Sequence, residues 1–438
     1  MTDANTLETQ TRRFVVLSYG MGVDSTAILL RWLSDPSSRD FDLADLIVVT
    51  SQTGSEFRGS ISLCEQHVLP LLKAAGVRFV EIARHQRSQK GQKFTVLQDS
   101  RSPERLHPAG AYTLAREMIE AGTVPQSGGG HLCSIKSKAV PIEAWLAEQP
   151  ELLGERVHVM GYAKGEESRS AKDVAARAAA GTLVIEPYRI AFGFAADEMP
   201  RSEKTERVRA EKAQVVAEFP LQTWGWDRDA CLAFIAEQTG AVWPKSACTF
   251  CPFAFSRKDR HLVLGRFDAE PAEALEGLLM EAGALALNPR AKLFKTTGLR
   301  EALEAAGHTE ALALFEDALD AAPWAIYRTR RQFTERRDHV AGCKKSTCSC
   351  PISTEKFGVN RSVEIVAQGS RAAILEHLEL LAEDQGLKVD RDGPIARATV
   401  QGFTEKSLEA REEILAAAPQ QAEAKAPRFD EAAWAAID

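Results

Sequence analysis

The sequence predicts an α/β fold: a doubly wound, mostly parallel sheet with an added α-helical subdomain. Three observations predict it. Short apolar runs alternate with amphipathic stretches from Phe14 to about Pro220, the pattern of a sheet covered on both faces. The first run, Phe14-Val-Val-Leu17, enters the glycine loop Ser18-Tyr-Gly20-Met-Gly22-Val-Asp24-Ser25-Thr26, which opens a helical pattern to Leu33. From Asp268 to about Asp338 the chain becomes rich in alanine and leucine, with Pro271, Pro289 and Pro323 near helix boundaries.

Further strands are predicted over 46–50, 77–82 and 157–162, where apolar runs are bounded by polar or glycine residues. Helices are predicted over 60–75, 112–121, 139–148 and 229–237. Residues 1–13 are polar and expected to be disordered, and 14–256 to form one α/β domain. Residues 257–342 read as a helical subdomain and 343–416 as a small C-terminal segment with a strand at 362–367 and a helix at 371–385. The stretch 417–438, rich in Ala, Gln, Glu and Pro, reads as a flexible tail.

A chain of 438 residues suffices for two or three domains. Its net charge of −7 excludes a polycation, so any nucleic-acid contact has to come from a local patch. No apolar run approaches the roughly 20 residues that span a bilayer, and Met1–Arg13 carries no signal-peptide core. No membrane partner and a cytoplasmic location are therefore expected. Eight cysteines in such a chain suggest metal or redox chemistry rather than a disulfide scaffold.

A strand, a glycine loop and a helix start can lay backbone N–H groups against a phosphate. Gly20 and Gly22 allow a tight backbone. Ser18, Ser25 and Thr26 add hydroxyls, and Asp24 stands where it could cap the helix. Without a ligand the same loop is a plain strand-to-helix turn. A second polar segment, Thr50-Ser-Gln52-Thr53-Gly54-Ser-Glu56, follows the second strand, and a third, Gly161-Tyr-Ala163-Lys164-Gly-Glu-Glu167-Ser168-Arg169, follows the strand at 157–162. In open α/β sheets such strand ends are where ligands bind. An acid in the third segment could hold Mg²⁺; both segments also read as ordinary surface loops.

Cys248-Thr-Phe-Cys251 has metal-ligand spacing, and Cys133 lies in His131-Leu-Cys133-Ser134-Ile-Lys136-Ser-Lys138-Ala-Val-Pro141. Cys231 shares an apparent helix face with Phe234 and Ile235, which favours a core thiol. Cys343, Cys348 and Cys350 could bind zinc with His339 or be free thiols. Two stretches are basic: Arg84 to Lys93, and the run containing Arg328, Arg330, Arg331, Arg336 and Arg337, which interleaves arginine with aromatics. Arginine can pair phosphate bidentately and stack on bases, or simply be solvated.

The glycine loop resembles the PP-loop of the N-type ATP pyrophosphatases, and within them the phosphoadenylyl-sulfate (PAPS) reductase branch. The resemblance covers about residues 14–256. Thr53, Gly54 and Glu56 resemble that branch's Asp-Thr-Gly-x-Glu segment, with Gln52 in place of the Asp. Gly161, Glu167, Ser168 and Arg169 resemble its Gly-x-Arg-x-x-Glu-Ser-x-Arg stretch, with Ala163 for the first Arg and Lys164 as a substitute cation. Cys133 and Pro141 resemble a Cys-Cys-x-x-x-Lys-x-x-Pro segment in which Ser134 replaces the second Cys. Pro220, Leu221, Trp224 and Asp227 resemble the segment upstream of C-x-x-C.

The resemblance implies an adenine nucleotide α-hydrolase-like fold binding ATP, or adenylyl sulfate or PAPS, with Mg²⁺. It places Ser18, Gly20, Gly22, Asp24, Ser25, Thr26, Thr53, Gly54, Glu56, Gly161, Lys164, Glu167 and Arg169 around the nucleotide, with Asp24, Ser25 and Lys136 as catalytic candidates. Cys133, Cys248 and Cys251, with Cys231 as a fourth, would hold a [4Fe–4S] cluster, Zn²⁺ being the competitor. The chain lacks the branch's C-terminal Glu-Cys-Gly-Leu-His segment, which argues against simple sulfate reduction. The function expected is ATP-dependent adenylylation followed by sulfur transfer, with nucleic acid as one acceptor. A sulfur donor and a defence-module protein are implied partners. A sulfonucleotide reductase and a non-catalytic nucleic-acid adaptor are the alternatives.

Overall fold

The structure is a computed structural model that describes residues 14–88, 90–125, 132–149, 156–160, 189–191, 216–218, 220–256, 259–294, 296–337, 350–402, 410–430, 432 and 434. The chain divides into two units, one of residues 1–114 and 129–254, the other of 115–128 and 255–438. The class is α/β, with a mixed sheet in the first unit.

That sheet has five strands in the order β4-β3-β2-β1-β5: β1 (Phe14–Ser18), β2 (Leu46–Gln52), β3 (Arg78–Arg84), β4 (Phe94–Ser100) and β5 (Arg156–Met160). β3, β2, β1 and β5 run parallel, whereas β4 is antiparallel to β3. Alternate residues feed two cores, as the two-residue period of a strand requires. Leu46 and Val48 join Val15, Leu17 and the helix α1 (Val23–Ser34) on one face. Ile47 and Val49 join Val16, Ile142 and Trp145 on the other. A short parallel pair, β6 (Arg189–Ala191) and β7 (Val216–Glu218), forms a second sheet whose β6 neighbours β5.

Two helical stretches of this unit contain a π turn, and proline explains both. Pro70 and Pro141 lack an amide for the fourth carbonyl back. In each case the residue before the proline bonds five residues back instead, Leu69 to the Cys64 carbonyl and Val140 to the Ile135 carbonyl. The second turn, Ile135–Ala139, re-aims the segment that carries Lys136 and Lys138.

The second unit contains an antiparallel sheet in the order β10-β11-β12-β8-β9, from β8 (Trp324–Arg337), β9 (Ile352–Gly369), β10 (Val389–Asp392), β11 (Ile395–Gln401) and β12 (Ala410–Pro419). Helices Leu275–Leu287 and Arg371–Asp384 pack against β12. The expected helical stretch 257–342 is therefore helical only to Ala321 and then becomes a strand. The expected tail begins inside a strand, with Ala417 and Ala418 fully buried. Residues 115–128, placed by sequence in the α/β domain, belong to this unit: Arg361 donates to the carbonyls of Ala121 (2.5 Å) and Gly122 (3.1 Å).

One buried acid organises this unit. Glu281, 2% exposed, accepts from the amides of Leu293 (2.8 Å), Leu299 (2.7 Å) and Arg300 (3.3 Å). Burial pushes its carboxyl above the ordinary 4.5, against the pull of those amides. The folded chain thus keeps this proton to a higher pH than the unfolded chain. The resulting contribution to stability is complete below the unfolded value and is lost as pH rises through the folded one. Wild type is expected to lose stability relative to Glu281→Gln as pH rises above 4.5, read as urea midpoints of the full chain; a flat or opposite difference would contradict this.

Candidate active site at the strand ends

β1 ends at Ser18, and the loop to α1 leaves the sheet after a Tyr19 amide to Val49 carbonyl bond (2.8 Å) on the middle of β2. Tyr19 anchors the loop from below: its hydroxyl lies 3.2 Å from both Thr26 Oγ1 and Cys64 Sγ. Burial raises this phenol well above its ordinary value, and burial likewise pushes the Cys64 thiol up to about 12. The left-handed backbone falls on Met21 (φ 57), not on a glycine, and the Met21 carbonyl is held by Trp243 Nε1 at 2.9 Å. Gly20 serves differently. Among the described residues, a Cβ there would meet nothing within 4 Å, so they leave open space above the loop backbone.

Gly22 is the N-cap of α1, extended at φ −83 and ψ 165, with no side chain capping it. The expected cap, Asp24, stands instead in the first turn and accepts from Arg228 Nη1 at 3.4 Å while 14% exposed. Ser25 Oγ turns back onto the Gly22 carbonyl (3.2 Å), and Thr26 is fully buried. The positive end of a twelve-residue helix is thus without a side-chain cap at the carboxyl end of a parallel strand.

The segment after β2 lies beside this loop. Glu56 Oε1 accepts from the buried Ala247 amide (2.9 Å), and Glu56 bridges Cys248 through its backbone. Ser246 Oγ donates to the Gly20 carbonyl at 2.7 Å and lies 3.2 Å from Glu56 Oε2. Glu56, expected near nucleotide, therefore ties the C-x-x-C segment to the glycine loop. Thr53 Oγ1 lies 3.3 Å from Cys248 Sγ, and Thr249 donates its amide to the Ser55 carbonyl (2.9 Å). Among the described residues, the hydroxyls of Ser55, Ser137 and Thr249, each in a buried residue, find no partner.

Cys251 bears electrostatically on both Cys133 and Cys248, and Lys138 bears on the same two thiols. Burial is the main cause that raises Cys133, and it pushes Cys248 up to about 12. Three of the four expected thiols thus lie within electrostatic range of one another, and thiolates are donors of the soft kind. Among the described residues, however, no three or more His, Cys, Asp or Glu side chains stand close enough together to hold an ion. Cys231 lies elsewhere. It is fully buried in the core against α1, and its charged neighbours are Asp24, Arg228 and Asp227. Lys138 is the lysine that bears on these thiols; Lys136, the catalytic candidate, sits two residues earlier on the same π turn. Gly161, Lys164, Glu167 and Arg169 lie outside the described residues, as do Cys343 and Cys348.

Ser51 Oγ donates at 2.7 Å to the Ser137 carbonyl, the carbonyl that Pro141 leaves without an amide. Ser51→Ala is expected to cost about 1–3 kcal/mol by orphaning that buried acceptor. In a Pro141→Ala background the new amide at 141 should shrink the loss, a coupling readable from urea unfolding.

In the second unit the arginine run is a strand, so its side chains alternate. Arg331 faces inward, 4% exposed, paired with Glu412 and donating to Asn288 Oδ1 (2.6 Å). Arg328 pairs with Glu364 (3.0 Å) and Glu413 (3.5 Å), and Arg330 lies over the rings of Phe429 and Trp434. Arg337 donates to the carbonyl of the buried Cys350 (2.7 Å). The backbone of Arg336 belongs to the same strand. Arg331 is thus structural, a correction to its expected role on nucleic acid.

Sequence reasoning missed Arg228, Trp243, Ser246 and Lys138 as site residues. Trp243 and Ser246 carried no signal beyond their nearness to C-x-x-C. Among the described residues, no helix is long and apolar enough to cross a membrane. Comparison with protein families, with curated proteins and with solved structures found no match to this chain.

Proposed function

We propose that the strand-end site of the first unit binds the phosphate end of an adenine nucleotide, and that the chain is a PP-loop ATP pyrophosphatase of the PAPS reductase-like kind. In this reading the α/β unit is a doubly wound, adenine nucleotide α-hydrolase-like domain. The observation that carries the reading is the α1 N-terminus without a side-chain cap, beneath the open space over Gly20. Backbone amides and the helix dipole favour a phosphate there.

The loop would hold the pyrophosphate, with Mg²⁺ sharing its charge as an acceptor attacks the α-phosphorus. Ser25 and Asp24 lie in the first helical turn, where they would orient the phosphates. Cys133, Cys248 and Cys251 would hold a [4Fe–4S] cluster or Zn²⁺, which when bound supplies soft-metal sulfur chemistry. Lys138 contributes positive charge beside those thiols. Sulfur transfer to the adenylylated acceptor, nucleic acid among the candidates, completes the proposal.

Pyrophosphate release from ATP with Mg²⁺ tests it. Thiol-dependent sulfite release from adenylyl sulfate or PAPS would instead assign a reductase. Neither release, together with no calorimetric heat from any of the three nucleotides, would end the reading. Iron and sulfide analysis after anaerobic purification tests the cluster; a colourless zinc protein would replace it.

A further inference from the structure

We propose that His107 is the proton acceptor of the strand-end site, held by the buried carboxylate of Glu81; the role rests on the nucleotide reading above. Glu81 is fully buried in the middle of β3. Its oxygens receive Gln52 Nε2 (2.8 Å), Gln98 Nε2 (2.9 Å), the His107 amide (3.1 Å to each) and His107 Nδ1 (3.1 Å). The two amides and the backbone N–H can only donate, so an ionised carboxylate matches this setting. Nδ1 then carries the ring hydrogen and Nε2 keeps its lone pair. The side chain is 34% exposed, and among the described residues nothing engages Nε2.

Residues 106–114 form a strap between β4 and the helix Leu114–Glu120, and tethering it does not require the ring. Glu65 Oε1 already fixes the preceding Leu106 amide at 2.8 Å, and the His107 amide is held by Glu81 in its own right. The ring bond adds orientation, as in carboxylate–histidine pairs that set a tautomer. From His107 the strap passes Gly110, where a Cβ would stand 2.7 Å from that of Ala83 near the end of β3. It then passes Thr113, packed on Gly54, and ends with the Leu114 amide on the Thr53 carbonyl (3.0 Å). Glu81 thus joins His107 to Gln52, the last residue of β2, and from His107 the strap leads on to the loop that carries Thr53 and Glu56.

The step is a proton transfer coupled to nucleotidyl transfer. The acceptor's O–H, N–H or S–H nucleophile forms a bond to the α-phosphorus, and the bond from that phosphorus to the bridging oxygen breaks. Pyrophosphate leaves with the electron pair, and the acceptor's proton passes to Nε2. The imidazolium so formed faces Glu81, with Glu65 of the turn Cys64–Val68 holding the Leu106 amide and the Cys64 thiol within electrostatic range of both acids.

The ring-nitrogen NMR spectrum of the full chain labelled with ¹⁵N-histidine tests the arrangement, with His107→Gln assigning the signal. The neutral ring is expected as the Nδ1–H tautomer; an Nε2–H tautomer would overturn the proposal. Where the wild type releases pyrophosphate, His107→Gln should lower kcat by about a hundredfold with KM little changed. An unchanged kcat would overturn the acid–base role. No heat with ATP would end the nucleotide reading, while the tautomer still decides whether Glu81 holds a base.

Discussion

Gly54→Ala is expected to cost the first unit about 3 kcal/mol, from a left-handed backbone forced on alanine and from overpacking. Gly54 has φ +87, and a Cβ there would stand 2.4 Å from Thr113 Cγ2 and 2.7 Å from Thr113 Cβ. Rotating one side chain does not clear both atoms, so the backbone of Thr113 has to move. The adjacent Leu114 amide, bonded to the Thr53 carbonyl, moves with it. The consequence is local and functional: the strap and the β2 loop separate at the strand ends. Urea unfolding of Gly54→Ala alone and with Thr113→Gly divides the two causes. The second change should recover the steric part and leave the backbone part, about 1–2 kcal/mol. Full recovery would mean that φ at this position costs nothing, and no loss in the single variant would refute the packing.

The strands flanking the site were legible because Val15, Val16, Ile47, Val48 and Val49 are apolar on both faces, as a buried parallel sheet demands. Edge strand β4 was not, because Thr95, Gln98 and Asp99 dilute its pattern and half of it faces solvent. The arginine run was misread as helical surface, although Tyr327, Thr329, Arg331 and Phe333 alternate with the two-residue period of a strand, all four being buried. A buried arginine disguised that face. Cys231 shows the reverse: the helix period already grouped it with Phe234 and Ile235, and the core against α1 contains it. Within the candidate site, spacing singled out Cys248 and Cys251, and the family resemblance singled out Thr53, Gly54, Glu56 and Cys133. Neither revealed their work, because the partners of Glu56 and Cys133 lie 191 residues on for Ala247 and over a hundred on for Cys251. The Glu81–His107 pair gave one faint signal, a lone acid inside the apolar run Phe79-Val-Glu81-Ile-Ala.

Glu56→Ala is expected to destabilise the first unit by about 2–4 kcal/mol, since it removes a charged acceptor from a buried amide. The Ala247 amide loses its 2.9 Å partner, and the Ser246 to Gly20 bond, made by the next residue back, loses its support. The segment that spans the glycine loop and C-x-x-C then has one tether fewer at each end. Glu56→Gln separates structure from charge. Its amide keeps an oxygen for Ala247 but removes the negative charge. Burial is the main reason that the Cys248 thiol stands near 12, and the Glu56 charge adds to it while Lys138 opposes it. Glu56→Gln is therefore expected to keep the fold and to speed alkylation of Cys248 at a fixed pH, because more of the thiol ionises. Glu56→Ala should speed it too, but through local opening, with a lower urea midpoint. If Glu56→Gln alkylates at the wild-type rate, the carboxylate acts on the C-x-x-C segment as a tether alone. If Glu56→Ala unfolds at the wild-type midpoint, the tether itself is refuted, and the link between the glycine loop and the thiols rests on Trp243 and Ser246.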